Sequence, residues 1–341
     1  MIVRKTLSLK SIYEFTGHHF LWLTCWMSFV TLLFYFTDSK LMALPWLPLP
    51  LIGTAVAFYV GFKNNQSYDR LWEARKIWSD IINGSRMLAT TIKNYRSGET
   101  NETDGADIRR QIILRHIAYL YQLRQQLLEP AQWEHVSQER SWLVGHYNRR
   151  RRAELSARFK DELDTISSTN YLSREEIIQL QRYNNKAVQL LNIQTGMIQE
   201  LYNSKTINMI QQIEIQAAIN VFYNSQGKLE RIKQTPFPRK YATFSFLFVC
   251  IFIFFLPFGI VGEFSNLGGA GIWLAIPVGS IIGWIFVTME LIGDYSENPF
   301  EGLHNDTPML SICRDIEIDM LQAMGEKNIP DPVKPKENVL L

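Results

Sequence analysis

The sequence predicts an all-α membrane protein with four transmembrane helices per subunit and a helical cytosolic domain. Three observations predict it. Four stretches, Phe20–Thr37, Leu41–Phe62, Tyr241–Gly262 and Phe264–Met289, contain no Asp, Glu, Lys or Arg. The block between the second and the third is rich in charge and, from Lys63 to Thr235, holds one proline, Pro130. Basic residues flank the apolar runs mainly on one side. The mean hydropathy of −0.08 looks soluble because it averages these two kinds of sequence.

Each apolar run meets the span criterion of about 18 or more apolar residues for a hydrocarbon core of about 30 Å. Arg4, Lys5 and Lys10 precede the first run without the cleavage pattern of a signal peptide, so it reads as a helix of the mature chain. Pro45, Pro48 and Pro50 crowd the start of the second run, so its regular helix is expected from about Leu51. Pro257 and Pro277 predict kinks in the third and fourth. The link Asp38–Lys40 and the link around Glu263 are short, making each pair an antiparallel hairpin. Four crossings put both termini and the middle block on one face. That face carries Lys63, Arg70, Arg75 and Lys76 after the second run and Lys228, Arg231, Lys233, Arg239 and Lys240 before the third. The opposite links hold only Lys40, so the termini and the middle are expected in the cytoplasm of a multi-pass cell-membrane protein.

The expected segments are 1–62 with the first two membrane helices, 63–240 as a helical cytosolic domain, 241–293 with the last two membrane helices, 294–327 as a cytosolic C-terminal segment, and 328–341 as a disordered tail. In the middle, Ile108 to Leu128, Glu175 to Leu201 and Ile207 to Phe222 repeat apolar residues every three to four positions, as amphipathic helices do. Ser97–Gly105 reads as an exposed loop. The tail from Asn328 is rich in proline.

Composition excludes several classes of function. A net charge of +2 over 341 residues offers no field for nucleic acid. There is no Walker loop, no GxGxxG after a strand, no GxSxG and no HExxH, so no enzyme, cofactor or metal is expected. Cys25, Cys250 and Cys313 have neither metal nor redox spacing. His18–His19 has only Glu14 nearby, too few ligands for a closed metal site. Arg149–Arg152 reads as a solvated helix face, with phosphate or lipid headgroups as the alternative. The apolar runs carry no ionisable residue of these four types, and Glu290 falls at a helix end, which argues against a coupled transporter.

The most informative segment is Gly53–Trp78, GTAVAFYVGFKNNQSYDRLWEARKIW. Thr54, Phe58 and Phe62 recur at i, i+4 and i+8, so they share one helix face. A ring of such helices would surround an axis with large apolar side chains, a known form of channel constriction. Packing of the same aromatics against neighbouring helices is the alternative. Asp69 and Glu73 follow this face, with Arg70 and Arg75 close enough to neutralise them.

This segment resembles the motif at the end of the second transmembrane helix of the bestrophins in its bacterial form, carried by Gly61, Asn64, Asn65, Tyr68, Arg70, Trp72, Glu73 and Arg75. Gln234–Tyr241 resembles the approach to the family's third helix, LPFG at Leu256–Gly259 lies within that helix, and Asn298, Pro299 and Phe300 match the family's Asn-Pro-Phe. The resemblance runs from about Met1 to Met320. It implies a homo-oligomer, a pentameric ring in the bilayer, passing small monovalent ions through one axial pore; anions such as chloride are the usual family label, and cation conduction occurs among bacterial relatives. It places a narrow neck on Thr54, Phe58 and Phe62, with Thr54 departing from the family's apolar pattern and expected to wet that level. Counting back from Pro238, it places a cytosolic constriction on Ile210. The animal calcium clasp follows Asn-Pro-Phe with an acidic run; here only Glu301 and Asp306 are acidic, too few for the six to eight oxygens calcium takes. A non-conducting membrane scaffold or sensor is the alternative function, separable because Phe58→Ala alters conductance only in a channel.

Overall fold

The computed structural model describes residues 1–37, 43–97, 105–134, 137, 144–166 and 168–341. The link Asp38–Lys40 and most of the loop Ser97–Gly105 lie outside them. The described chain is helical apart from isolated antiparallel bridges that join Val339 to Ile2 and to Lys336. It divides into two compact units: an apolar unit of residues 4–70 and 236–297, and a helical unit of residues 1–3, 71–235 and 298–341.

The apolar unit contains α1 (Leu9–Thr37, with a π-helical stretch at Tyr13–Gly17), the first part of α2 (Pro48–Asn94), α9 (Arg239–Ser265) and α10 (Ala275–Tyr295). Three helices among the described residues are long and apolar enough to cross a membrane: Leu9–Thr37, Arg239–Ser265 and Ala270–Tyr295, the last including the 3-10 turn before α10. The second apolar run, expected as a fourth, gives α2 only the stretch Pro48–Phe62 before Lys63. At 1.5 Å per residue those fifteen residues reach about 22 Å, short of the hydrocarbon core of about 30 Å. The helix starts at Pro48 rather than near Leu51, because a proline in the first turn gives up an N–H that has no intrahelical partner there. The same reason removes the expected kink at Pro277, the third residue of α10. Pro257 lies inside α9, which continues past it.

Leu23, Met27, Val56, Val60, Phe252, Leu256 and Ile260 centre this unit's core. Glycine brings α10 close to α1. A Cβ on Gly283 would meet Leu23 at 3.0 Å, and one on Gly279 would overlap Met27. Small residues at such crossings let helix backbones approach and pack by dispersion, which is what associates helices in lipid.

The helical unit is built from the rest of α2, α3 (Ala106–Leu128), α4 (Val144–Arg158), α5 (Lys160–Thr165), α6 (Arg174–Leu180), α7 (Lys186–Asn203), α8 (Met209–Gln234) and α11 (Met309–Met324). α3 is central and packs on α7, α8 and α11. Trp78, Ile81, Ile117, Tyr119, Leu191 and Phe222 are among the residues that fill the core. Capping boxes at Ser173 and Asn208 start α6 and α8, each satisfying backbone donors at a helix N-terminus.

The segment 328–341, expected to be disordered, is held in place. Val3 N–H donates to the Asn338 carbonyl and Leu340 N–H to that of Met1, at 2.9 and 2.8 Å. Val333 and Leu310 bury against Phe159, and Lys336 donates to the Arg158 carbonyl at 2.9 Å and to Glu162 at 2.7 Å. Proline content argued for disorder, but these contacts give the segment partners that composition does not reveal.

Candidate functional site

One face of α2 is buried and the opposite face is bare. Val56, Val60, Lys63 and Ser67, spaced four, three and four residues apart, turn into the apolar unit. Thr54, Phe58 and Phe62 lie on the exposed side; Phe58 is 80% exposed. The face predicted from periodicity is therefore present as one apolar stripe. The Thr54 hydroxyl donates to the Pro50 carbonyl at 2.8 Å. Its polarity is thereby spent on the helix's own backbone. Phe62 packs beside Tyr241 with ring centroids 5.8 Å apart. Gly61 and Asn65 are exposed.

What fixes the orientation of this stripe is an ion pair that sequence reasoning missed. Lys63 is 2% exposed, and its Nζ lies 2.5 Å from Glu290 Oε1 and 3.5 Å from Asp294 Oδ1. Ser245 Oγ donates to the other Glu290 oxygen at 2.5 Å. Glu290, expected at a helix end, is buried within α10, which continues to Tyr295. Buried charges persist when paired and hydrogen-bonded, as both are here. The signal was the spacing itself, which puts Lys63 on the buried face with Val56, Val60 and Ser67.

The rest of the motif extends this anchoring. Asn64 Nδ2 donates to the Met289 carbonyl at 3.0 Å, and Gly293 lies so close that a Cβ there would overlap the Asn64 amide oxygen. Arg70 Nε donates to the Glu297 carbonyl at 2.9 Å. The Glu297 carboxylate accepts the Phe237 N–H at 2.9 Å and faces Arg239 at 3.4 Å. Burial pushes the Glu297 carboxyl above its ordinary range, against the pull of Arg239. Tyr68 is exposed.

In the helical unit, Trp72 is exposed and Glu73 pairs with Arg231 of α8 at 2.5 Å. The neutralisation expected within the segment thus reaches a different helix. Arg75 Nε is buried without a hydrogen-bond partner among the described residues. Asn298 Oδ1 accepts the Phe300 N–H at 3.1 Å, the Pro299 carbonyl accepts the Thr307 N–H at 3.2 Å, and Phe300 is fully buried in the core. Asn-Pro-Phe is therefore a turn that seats an aromatic anchor. Glu301 and Asp306 after it are buried; Asp306 Oδ2 accepts the Leu303 N–H at 3.0 Å. Burial, with Glu301 nearby, pushes the Asp306 carboxyl up to about 7. A buried pair joins Lys233 and Glu134, with desolvation drawing the lysine down and the carboxyl up.

Ile210, in the first turn of α8, is 71% exposed, with Met209 and Ile213 exposed beside it. It belongs to the helical unit, and the stripe of Thr54, Phe58 and Phe62 to the apolar unit. The His18 and His19 rings lie tilted against each other with centroids 3.9 Å apart, and Trp22 Nε1 donates to His19 Nδ1 at 3.3 Å. No group of three or more metal-ligating side chains occurs among the described residues. Of the four-arginine run, Arg150 pairs with Glu154 and Arg152 donates to the Leu128 carbonyl.

Residues 11–322 match the family described as Bacterial/Fungal Bestrophin protein. The chain belongs to the bestrophin family. Among its relatives is YneE of Escherichia coli K12, named a voltage-dependent anion channel-forming protein, 26% identical over 318 residues that cover 90% of each chain. A Nostoc protein with the same description is 26% identical over 283 residues, covering 81% of this bestrophin and 79% of the relative. The fold is that of a solved bacterial bestrophin homologue from Klebsiella pneumoniae, with a TM-score of 0.72 at 20% identity over 91% of this chain and 98% of the other. This bestrophin is thus a membrane protein, and its motif residues Asn64 and Arg70 with the neighbouring Lys63 tie α2 to α10 and to Glu297 just after it, while Glu290 in turn holds Ser245 of α9.

Proposed function

We propose that this bestrophin is the subunit of an anion channel, a homopentameric ring in the cell membrane with its pore on the symmetry axis. α2 lines the neck with Thr54, Phe58 and Phe62, and Ile210 forms a second constriction in the helical unit. The observation that carries this reading is the exposure of Phe58 on a stripe whose opposite face is pinned by Lys63 and Glu290. An aromatic row left bare on a rigidly held helix needs cover, and copies related by an axis supply it by facing one another. Relatives over most of the chain are named for anion channel formation. Phenylalanine edges carry partial positive charge, which suits an anion passing through the ring.

In this arrangement α1, α2, α9 and α10 are the four crossings. The apolar part of α2 is short because a helix shielded from lipid by its neighbours need not match the hydrocarbon thickness. The basic residues around Arg4, Lys63 and Arg239 support a topology with both termini and the helical unit in the cytoplasm.

Planar-bilayer recording in an asymmetric chloride gradient tests the reading. The wild-type oligomer is expected to reverse near the chloride equilibrium potential. Phe58→Ala, which removes a ring from each copy without touching the buried face, is expected to raise conductance several-fold. Unchanged conductance in an assembled Phe58→Ala oligomer would remove the neck from this face. Reversal near the cation potential would remove anion selectivity while leaving the pore.

A further inference from the structure

The apolar unit contains a cavity of about 540 Å³ walled by α1, α9 and α10. Trp22, Phe246 and Phe254 form an exposed aromatic rim, and Val249, Ile253 and Glu290 form a buried floor. Its size and mainly hydrophobic, aromatic lining are those of a ligand site between helices.

The chemistry of the floor limits the occupant. Glu290 is the one carboxylate in the lining, and both its oxygens are engaged, one by Lys63 and one by Ser245. His19 at the wall has Nδ1 already accepting from Trp22. The cavity thus presents no free charge to a cation and no donor cluster to an anion. A polar metabolite would lose its hydration there without compensating hydrogen bonds. The three walls are the three helices among the described residues that are long and apolar enough to cross a membrane, which favours a hydrocarbon occupant.

We propose that this cavity is a binding site for one acyl chain of a bilayer lipid, held between the aromatic rim and the Val249–Ile253 floor. An acyl chain needs no polar partner and gains dispersion contacts from a shaped wall that it lacks among mobile neighbouring chains. The rim aromatics, two on α9 and one on α1, flank the chain where it enters. The site depends on the membrane character of the protein and not on the position of the pore.

The test uses the full-length oligomer in phosphatidylethanolamine–phosphatidylglycerol vesicles doped with a phosphatidylglycerol whose acyl chain carries a diazirine. After illumination, adducts are mapped by peptide mass spectrometry. Adducts on Trp22, Cys250 and Phe254 are expected at least fivefold above those on Phe36, an exposed aromatic of α1 away from the cavity. Cys250→Trp, which fills the cavity, is expected to cut the adducts on Trp22 and Phe254 at least fivefold while leaving those on Phe36 unchanged. Should Cys250→Trp fail to assemble, an apolar maleimide on Cys250 in a Cys25→Ser protein fills the same space, since Cys313 is buried. Labelling at the cavity no greater than at Phe36, or absent because a second copy covers the rim, would overturn the site. So would cavity labelling that survives filling at Cys250.

Discussion

At the scale of single residues, the buried pair of Lys63 and Glu290 matters most. Lys63→Met leaves the buried Glu290 carboxylate without its cation, with the Ser245 hydroxyl still donating to it. Removing one partner of a buried pair costs about 3–5 kcal/mol, whereas replacing both with apolar residues is often close to neutral. Lys63→Met is therefore expected to lower the melting temperature of the detergent-solubilised oligomer sharply. The double variant Lys63→Met with Glu290→Met is expected to recover most of that loss; equal loss in both would show that the pair contributes little. His116 shows the same physics in the helical unit. It is fully buried, with Ser85 Oγ 2.9 Å from Nε2 and Gln194 Oε1 3.3 Å from Nδ1. Burial draws the imidazole down to about 3. Below its unfolded value of about 6.5 the unfolded chain binds a proton that the folded chain refuses. Stability from neutral His116 is thus complete above about pH 6.5 and lost as pH falls toward 3. Denaturant titrations from pH 7 to 4 are expected to show this loss, and His116→Leu to flatten it. An unchanged slope would assign the acid limb to other groups.

At the scale of elements, α2 belongs to both units: its residues to Arg70 pack with α9 and α10, and those from Leu71 with the helical unit. Gly293 sets how closely α10 meets it. An alanine there must displace Asn64, whose amide donates to the Met289 carbonyl. Gly293→Ala is expected to cost up to about 2 kcal/mol, the displaced Asn64 amide's lost hydrogen bond set against about 1 kcal/mol gained in helix propensity. Asn64→Ala should cost a similar amount, and the double variant little more than either alone, because both act on one contact. Additive losses in thermal unfolding would mean that the glycine and the amide act separately. Much of the element pattern was legible: the apolar runs, the periodicity in α3 and α8, and the shared face of Thr54, Phe58 and Phe62; the periodic stretch Glu175–Leu201 is split into α6 and α7. Less legible was how the fourth run breaks. Its first two residues, Phe264 and Ser265, still belong to α9, so Glu263, expected in the link, is helical; a 3-10 turn follows at Gly269–Leu274, and α10 begins only at Ala275. Hydropathy does not register such a break, because it averages side-chain polarity over a window and carries no information on backbone conformation.

At the scale of the whole molecule, the exposed stripe of the apolar unit and the exposed Ile210 of the helical unit are the features a single chain leaves unsatisfied. In the proposed ring, copies arranged about an axis would cover each of them. Native mass spectrometry of the purified protein is expected to give five times the 39.7 kDa chain, about 200 kDa; a monomer or dimer as the sole species would exclude the ring. The sequence by itself determined that this protein is helical, that it carries apolar membrane segments, that it belongs with the bestrophins, and that Thr54, Phe58 and Phe62 share one face of α2; that this face is exposed came from the structure. What the sequence determined follows from charge segregation, from a 3.6-residue period and from a long motif, all local properties of the chain. The tertiary structure alone decided that Lys63 meets Glu290 across 227 positions of sequence, that Glu73 turns to Arg231, that the proline-rich tail is held, and that three helices enclose a cavity. These depend on which helices lie side by side, and pairing of distant segments leaves little mark on local composition.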